Sequence, residues 1–333
     1  GEFRISNIKQ IGTSSITITF FQACLATLLV DAALLACGFP APLSLTLGAI
    51  AAATAPAATL MVVRQYHAKG EVTSTLLPVV AMDDAVGLML FSIFLPISQA
   101  LASNAALTVT SMLLQPLLEI VLSLAVGAGI GLLIALAMRF FHSKVNRISV
   151  AVAAVLLGSA LASIWNLSSL LLCMAIGAVL VNLRNDADEL LEITDAWTPP
   201  LFMLFFVLSG AELDLAVVPT VGLLGVVYMV ARSLGKYFGS FLGATIAKSS
   251  PNIRKYLGLT LLPQAGVAIG MAQVALNALP EYGTQIQAVV LTATLIYELI
   301  GPVITKLALT AAGEIQDSKK SKAKTEQSAG GAK

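Results

Sequence analysis

Ten apolar stretches divide the chain, at about 15–37, 42–63, 73–97, 112–140, 148–164, 168–183, 197–210, 217–246, 255–279 and 284–310. An α-helix needs about 20 apolar residues to cross the hydrocarbon core of a bilayer, and these stretches sit around that length. The polar positions between them form short connections. The pattern predicts an all-α polytopic membrane protein of about ten transmembrane helices, with residues 1–312 as one membrane domain. Residues 313–333 are rich in Lys, Ser and Gly and read as a disordered cytoplasmic tail.

The charges test that count. Outside the eighth span the chain has 17 Lys and Arg residues, from Arg4 and Lys9 to Lys306 and the five tail lysines. If the sides of the membrane are numbered alternately, all 17 fall on one side. The opposite connections, around Gly38-Phe39-Pro40, Ser98–Asn104, Trp165-Asn166, Glu212–Asp214 and Glu281, carry none. A wrong helix count would scramble this split. By the positive-inside rule both termini of the chain are cytoplasmic.

The hydropathy pattern also repeats. The spans beginning near residues 15 and 217 each open a triplet. In each triplet the middle span is interrupted, by Thr54-Ala55-Pro56-Ala57 in one and by Leu262-Pro263-Gln264-Ala265-Gly266 in the other. In each, the third span carries acid at mid-depth: Asp83-Asp84 in the first and Glu298 in the second. The triplets start on opposite sides, so they are inverted relative to each other. Inverted three-helix repeats with two crossed interrupted helices are the architecture of many secondary transporters.

The polar residues inside the apolar spans are the candidate chemistry. A carboxyl at the centre of a membrane helix costs about 2.5–3.5 kcal/mol, while each good apolar neighbour contributes only about 0.3–0.6 kcal/mol. Asp83 and Asp84 therefore use up most of the insertion margin of their span, and an intramembrane carboxyl reads by default as an ion or proton site. Adjacent positions lie about 100° apart on a helix, so one carboxyl can face an ion while the other pairs with a cation. Arg232 and Lys236 lie four apart on one face of the eighth span, and Asp83, Asp84 and Glu298 are at similar depth to partner them. An Arg232–Glu298 ion pair is expected. Pro56 and Pro263 each remove a helix hydrogen bond. The carbonyls they free can ligate a cation, with Thr54 and Gln264 as neutral side-chain ligands. Asp31 and Glu119 lie nearer the outer ends of their spans and read as interfacial or vestibule residues.

Composition agrees. The chain is 57% hydrophobic and only 11% charged, with a mean hydropathy of +0.89, whereas a soluble domain carries about 25% charged residues. Cys24, Cys37 and Cys173 are isolated in apolar stretches and fit neither a disulfide framework nor a metal-ligand spacing. Nothing in the pattern asks for a cofactor, an enzymatic reaction or a nucleic-acid partner.

These motifs together resemble the monovalent cation/proton antiporter superfamily, in its two-aspartate, sodium/proton exchanger-type branch. Thr54-Ala55-Pro56-Ala57 resembles the first interrupted helix of that family, and Asp83-Asp84-Ala85-Val86-Gly87 its acid pair. Pro263-Gln264-Ala265-Gly266-Val267-Ala268 resembles the second interrupted helix, and Glu298-Leu299-Ile300-Gly301-Pro302 the last one. The resemblance implies a core bundle, made of the two triplets, that moves against a scaffold bundle. It implies that Asp84 binds the cation (Na⁺ or another monovalent ion) and the proton, and that Asp83 is the partner aspartate paired with a lysine, best matched by Lys236. Arg232 is similar to an arginine of the electroneutral relatives. In those, an Asn precedes the essential Asp and a Glu sits five residues before it, where this chain has Asp83 and Val79.

Family members begin with two or three further helices that contribute to the dimer. The resemblance thus implies an N-terminally truncated chain whose full-length parent is a homodimer in a lipid bilayer, in a prokaryotic inner (plasma) membrane. The implied function is exchange of a monovalent cation, Na⁺ first, for protons by alternating access. A K⁺/H⁺ antiporter on the same scaffold and a sodium-coupled organic anion symporter of related fold stay open as alternatives.

Overall fold

A computed structural model describes residues 12–103, 114–141, 143–165, 167–184, 186–187, 189–190, 200, 203–204, 207 and 218–315. Among these residues there are eleven α-helices, one 3₁₀ turn and no strand. The first triplet is α1 (Thr13–Ala36), the half-helices α2 (Ala41–Ala51) and α3 (Pro56–Gln65), and α4 (Glu71–Ala102). Then come α5 (Gln115–Ala137), α6 (Lys144–Trp165) and α7 (Ser169–Leu183). The second triplet is α8 (Val218–Ile246), α9 (Pro251–Tyr256) with a 3₁₀ turn (Leu257–Leu261), α10 (Gly266–Ala278) and α11 (Gly283–Ala311). The span expected at 197–210 lies largely outside the described residues.

Both middle spans are broken at the expected places, between Ala51 and Pro56 and between Leu261 and Gly266. Pro56 opens α3 at a position where a helix needs no N–H donor. In the second triplet the two halves bend by 49° at the break. Proline alone does not break these helices, since α4 runs through Pro78 and Pro96 and α11 through Pro302. The real breaks are those whose freed backbone finds other partners.

The triplets pack into one bundle through α1 and α8, the most extensive helix pair in the structure. Gly235, Gly239 and Gly243 set their distance. A Cβ at these positions would sit 2.5 Å from the Cα of Ala26, 2.6 Å from that of Gln22 and 2.8 Å from that of Ile18. In lipid, where little hydrophobic force drives helices together, such small-residue stripes let backbones approach and gain dispersion contacts. A separate apolar cluster, including Ile130, Ile134, Met138, Leu172 and Ile176, joins α5, α6 and α7. This is the core-plus-scaffold division, and α4 makes the main contacts across it.

The last described residues hold one end of the bundle. Gly313–Ile315, assigned to the tail by composition, pack against the start of α4, and both Glu314 and Ile315 are buried. Helix α4 has Gly70 at its N-cap and no side-chain cap of its own. Glu314 supplies one from outside. Its carboxylate accepts from the Val72 N–H (2.6 Å), the Thr73 N–H (2.8 Å) and the Thr73 hydroxyl (2.7 Å). A side chain at Gly70 would collide with it, since a Cβ there would lie 2.4 Å from the Glu314 carboxyl.

Candidate functional site

The site lies where the two helix breaks cross. In an intact helix the Ala51 carbonyl would accept from the N–H of residue 55, but the Ala55 N–H donates to the Pro263 carbonyl of the other break, 2.9 Å away. The Ala52 carbonyl would meet residue 56, a proline with no N–H to give. The crossing therefore concentrates orphaned carbonyl oxygens at membrane depth, where each unsatisfied group costs several kcal/mol.

Helix α8 answers with two fully buried cations. Arg232 donates from Nε to the Ala51 carbonyl (3.1 Å), from Nη2 to that of Ala53 (2.7 Å) and from Nη1 to that of Leu262 (2.7 Å). Its guanidinium lies 4.5 Å over the Tyr297 ring. One turn on, the Lys236 ammonium donates to the Ala52 carbonyl, the Thr54 hydroxyl (2.7 Å) and Asp83 Oδ2 (2.9 Å). The other Asp83 oxygen accepts from the Gln22 side-chain amide. Asp83 is fully buried, whereas Asp84 is half-buried on the neighbouring flank of α4.

The expected residues thus divide. Asp83, Lys236 and Thr54 come together, with Asp84 adjacent in the chain. Gln264 is buried in the second break but bonds elsewhere, to the Tyr228 hydroxyl (2.9 Å) and the Ile50 carbonyl (3.2 Å). The Arg232–Glu298 ion pair is a correction. Tyr297 faces Arg232, with its hydroxyl held by the Met229 carbonyl (2.8 Å) and close to the Ser233 hydroxyl (3.0 Å). The next residue points about 100° away, and Glu298 is exposed. Arg232 makes no ion pair among the described residues.

Three participants were not singled out from the sequence: Gln22, Tyr228 and Tyr297. Gln22 carried a signal, being a side-chain amide in the middle of an apolar span. The two tyrosines did not, because an aromatic ring is at home in a membrane helix. Among the described residues no cluster of His, Cys, Asp and Glu could hold a resident metal ion.

The fold is that of a known transporter. It matches a structure at pH 8 of the sodium proton antiporter MjNhaP1 from Methanocaldococcus jannaschii, with 21% identity and a TM-score of 0.67 over 92% of this chain and 81% of that one. An electron-microscopy map of the same antiporter matches with 19% identity and a TM-score of 0.71, over 95% of this chain and 82% of that one. No curated protein sequence matches the chain. The sequence pattern of the family described as "Sodium/hydrogen exchanger, transmembrane" matches residues 2–311. With that match across nearly its whole length, the chain belongs to the transmembrane sodium/hydrogen exchanger family, whose members are transporters and not enzymes.

Proposed function

We propose that this chain exchanges Na⁺ for protons across the membrane by alternating access, with Asp84 and Asp83 as the carboxyls that exchange cation and proton. The observation that carries the reading is the ligand set of Lys236. An ammonium ion is held by one carboxylate, one hydroxyl and one free carbonyl, beside a second carboxyl on α4. A dehydrated Na⁺ needs oxygen ligands of these kinds. On this reading the cation binds at Asp84 with help from Thr54, and Lys236 leaves Asp83 as it does so. Protonation restores the lysine pair and discharges the cation on the other side.

With two protons exchanged per Na⁺, one net charge crosses per cycle, and the membrane potential then contributes about 2.3 kcal/mol per 100 mV. Both termini of the chain are assigned to the cytoplasm, on the strength of the 17 basic residues that segregate to one side. The homodimer expected from the family resemblance belongs to the same proposal. So does a prokaryotic inner membrane as its location.

The test is dissipation of a pH gradient in reconstituted vesicles on adding Na⁺, then K⁺, then Li⁺. The expected result is Na⁺-driven proton movement that is lost in Asp84→Asn. Proton movement driven by K⁺ and not by Na⁺ would replace the ion. No cation-driven proton movement in well-folded wild type would overturn the antiport reading.

A further inference from the structure

The two cations of α8 do different work, and their ligands show it. Lys236 holds one carboxylate and two neutral oxygens. Arg232 holds three carbonyls and, among the described residues, no carboxylate. Those carbonyls come from both breaks: Ala51 and Ala53 from the first, Leu262 from the second. The guanidinium is fully buried and stacked on Tyr297, whose hydroxyl is tied to α8 at Met229 and Ser233.

We propose that Arg232 is a positioning residue that stays on these three carbonyls throughout the transport cycle and pins the two breaks together. Three arguments support this. First, the planar guanidinium holds its donors in fixed directions on three separate nitrogens, and each nitrogen meets one of three carbonyls that converge from two chain segments, a spread that a point-like ammonium does not have. Second, among the described residues Arg232 has no acid partner to exchange for a cation, so protonation at Asp83 or Asp84 gives it no reason to leave. Third, releasing it would strand three carbonyls and a guanidinium in the membrane interior at once, each at a cost of several kcal/mol. The Ala55 N–H to Pro263 carbonyl bond and the Gln264–Tyr228–Ile50 bonds brace the same crossing.

A consequence follows for the ion site, and it rests on the antiport reading above. The carbonyls of residues 51, 53 and 262 are not available to the transported cation. That cation is left with the oxygens now around Lys236, together with Asp84 and water. Arg232 then acts on transport through Thr54 and Ala52, by fixing where those ligands stand relative to Asp83.

Arg232→Lys and Arg232→Gln, each purified as a monodisperse protein, test this in two assays. Hydrogen exchange is the first, and it does not depend on which ion is carried. Both variants are expected to lose protection by tenfold or more in residues 51–55 and 262–266 together. Loss in one segment alone, or in neither, would overturn the pin. Vesicle transport is the second. The half-saturating Na⁺ concentration is expected to rise at least tenfold in both variants, with the pH of half-maximal activity unchanged and no rescue by lysine. A shifted pH profile in Arg232→Gln that Arg232→Lys restores would make Arg232 a proton-coupled charge and overturn the proposal. Wild-type kinetics with only a reduced yield would overturn its link to the ion site. Wild type is the control that keeps the two readings apart: if it moves no protons on cation addition, antiport fails while the exchange result still decides the pin.

Discussion

Among the described residues two arginines are buried, Arg232 and Arg147, and they are satisfied in opposite ways. Arg232 sits at the crossing of the broken helices and, among the described residues, hydrogen-bonds only to neutral carbonyls. Arg147 sits at the start of α6, at one end of the scaffold bundle. It bonds to Glu189 (2.6 Å) and Asp186 (2.9 Å), with its Nε on the Phe141 carbonyl (3.3 Å). Arg184 shares Asp186 at 2.8 Å. The difference lies in what each place can supply. At the rim, carboxylates whose side chains are 32% and 47% exposed keep part of their hydration and still reach an arginine. At the centre a carboxylate costs far more to bury, while unwound backbone is already rich in unpaired oxygen. Arg232 at the broken helices therefore serves backbone, and Asp83 is paired with the neighbouring cation, Lys236.

The largest effect expected from this contrast is at the centre. Asp83→Asn leaves the Lys236 ammonium buried without its carboxylate, and breaking one partner of a buried pair costs about 3–5 kcal/mol. The matched variant Asp83→Asn with Lys236→Gln removes both charges and is expected to recover most of that loss without recovering transport. Thermal unfolding in detergent micelles measures the first, vesicle assays the second. If the double variant is no more stable than Asp83→Asn, the pair is not what holds α4 to α8.

Next comes the rim. Arg147→Ala removes two charge-assisted bonds and one carbonyl bond, each worth about 0.5–3 kcal/mol net. Because its acids are partly solvated, they can return to water, so the measured loss is expected at the low end and well below that of Asp83→Asn. A loss as large as the central one would mean that solvation at the rim counts for little. Glu314→Ala is expected to fall in the same range. It removes a remote cap, and a lost N-cap costs about 0.5–2 kcal/mol. Amide exchange at Val72 and Thr73 is where its effect should concentrate.

The same contrast explains what could be read from the sequence. Both breaks and the burial of Asp83 and Lys236 were legible because prolines and charges are residue types that a membrane helix makes costly. Arg232 was legible as a cation, but its partners were not, since a carbonyl oxygen belongs to every residue and marks none. A charge in the sequence points first to an opposite charge, so Glu298 looked like the natural partner, and its adjacent Tyr297 took the place instead. Gln22 is visible as an amide in an apolar span, yet its acceptor lies 61 positions away. The Glu314 cap is hidden for the same reason, because it closes a helix 242 positions earlier in the chain. Local costs are readable from residue identity; long-range satisfaction of backbone is not.

The smallest expected effect sharpens the rim side of the comparison. Arg184's hydrogen bond holds the Asp186 carboxyl below the ordinary aspartate range, against some desolvation and with further help from the charges of Arg184 and Arg147. Such a group stabilises the folded state at pH values above the unfolded aspartate range, near about 3.9, and that contribution is lost as pH falls through the lowered folded value. The stability difference between wild type and Asp186→Asn should therefore be small and flat from about pH 5 to pH 8, and shrink only in stronger acid. Melting curves of the two proteins across that range give the answer. A difference that instead disappears between pH 5 and pH 7 would show Asp186 raised rather than lowered. The rim would then resemble the desolvated centre, and the contrast between the two arginines would fail.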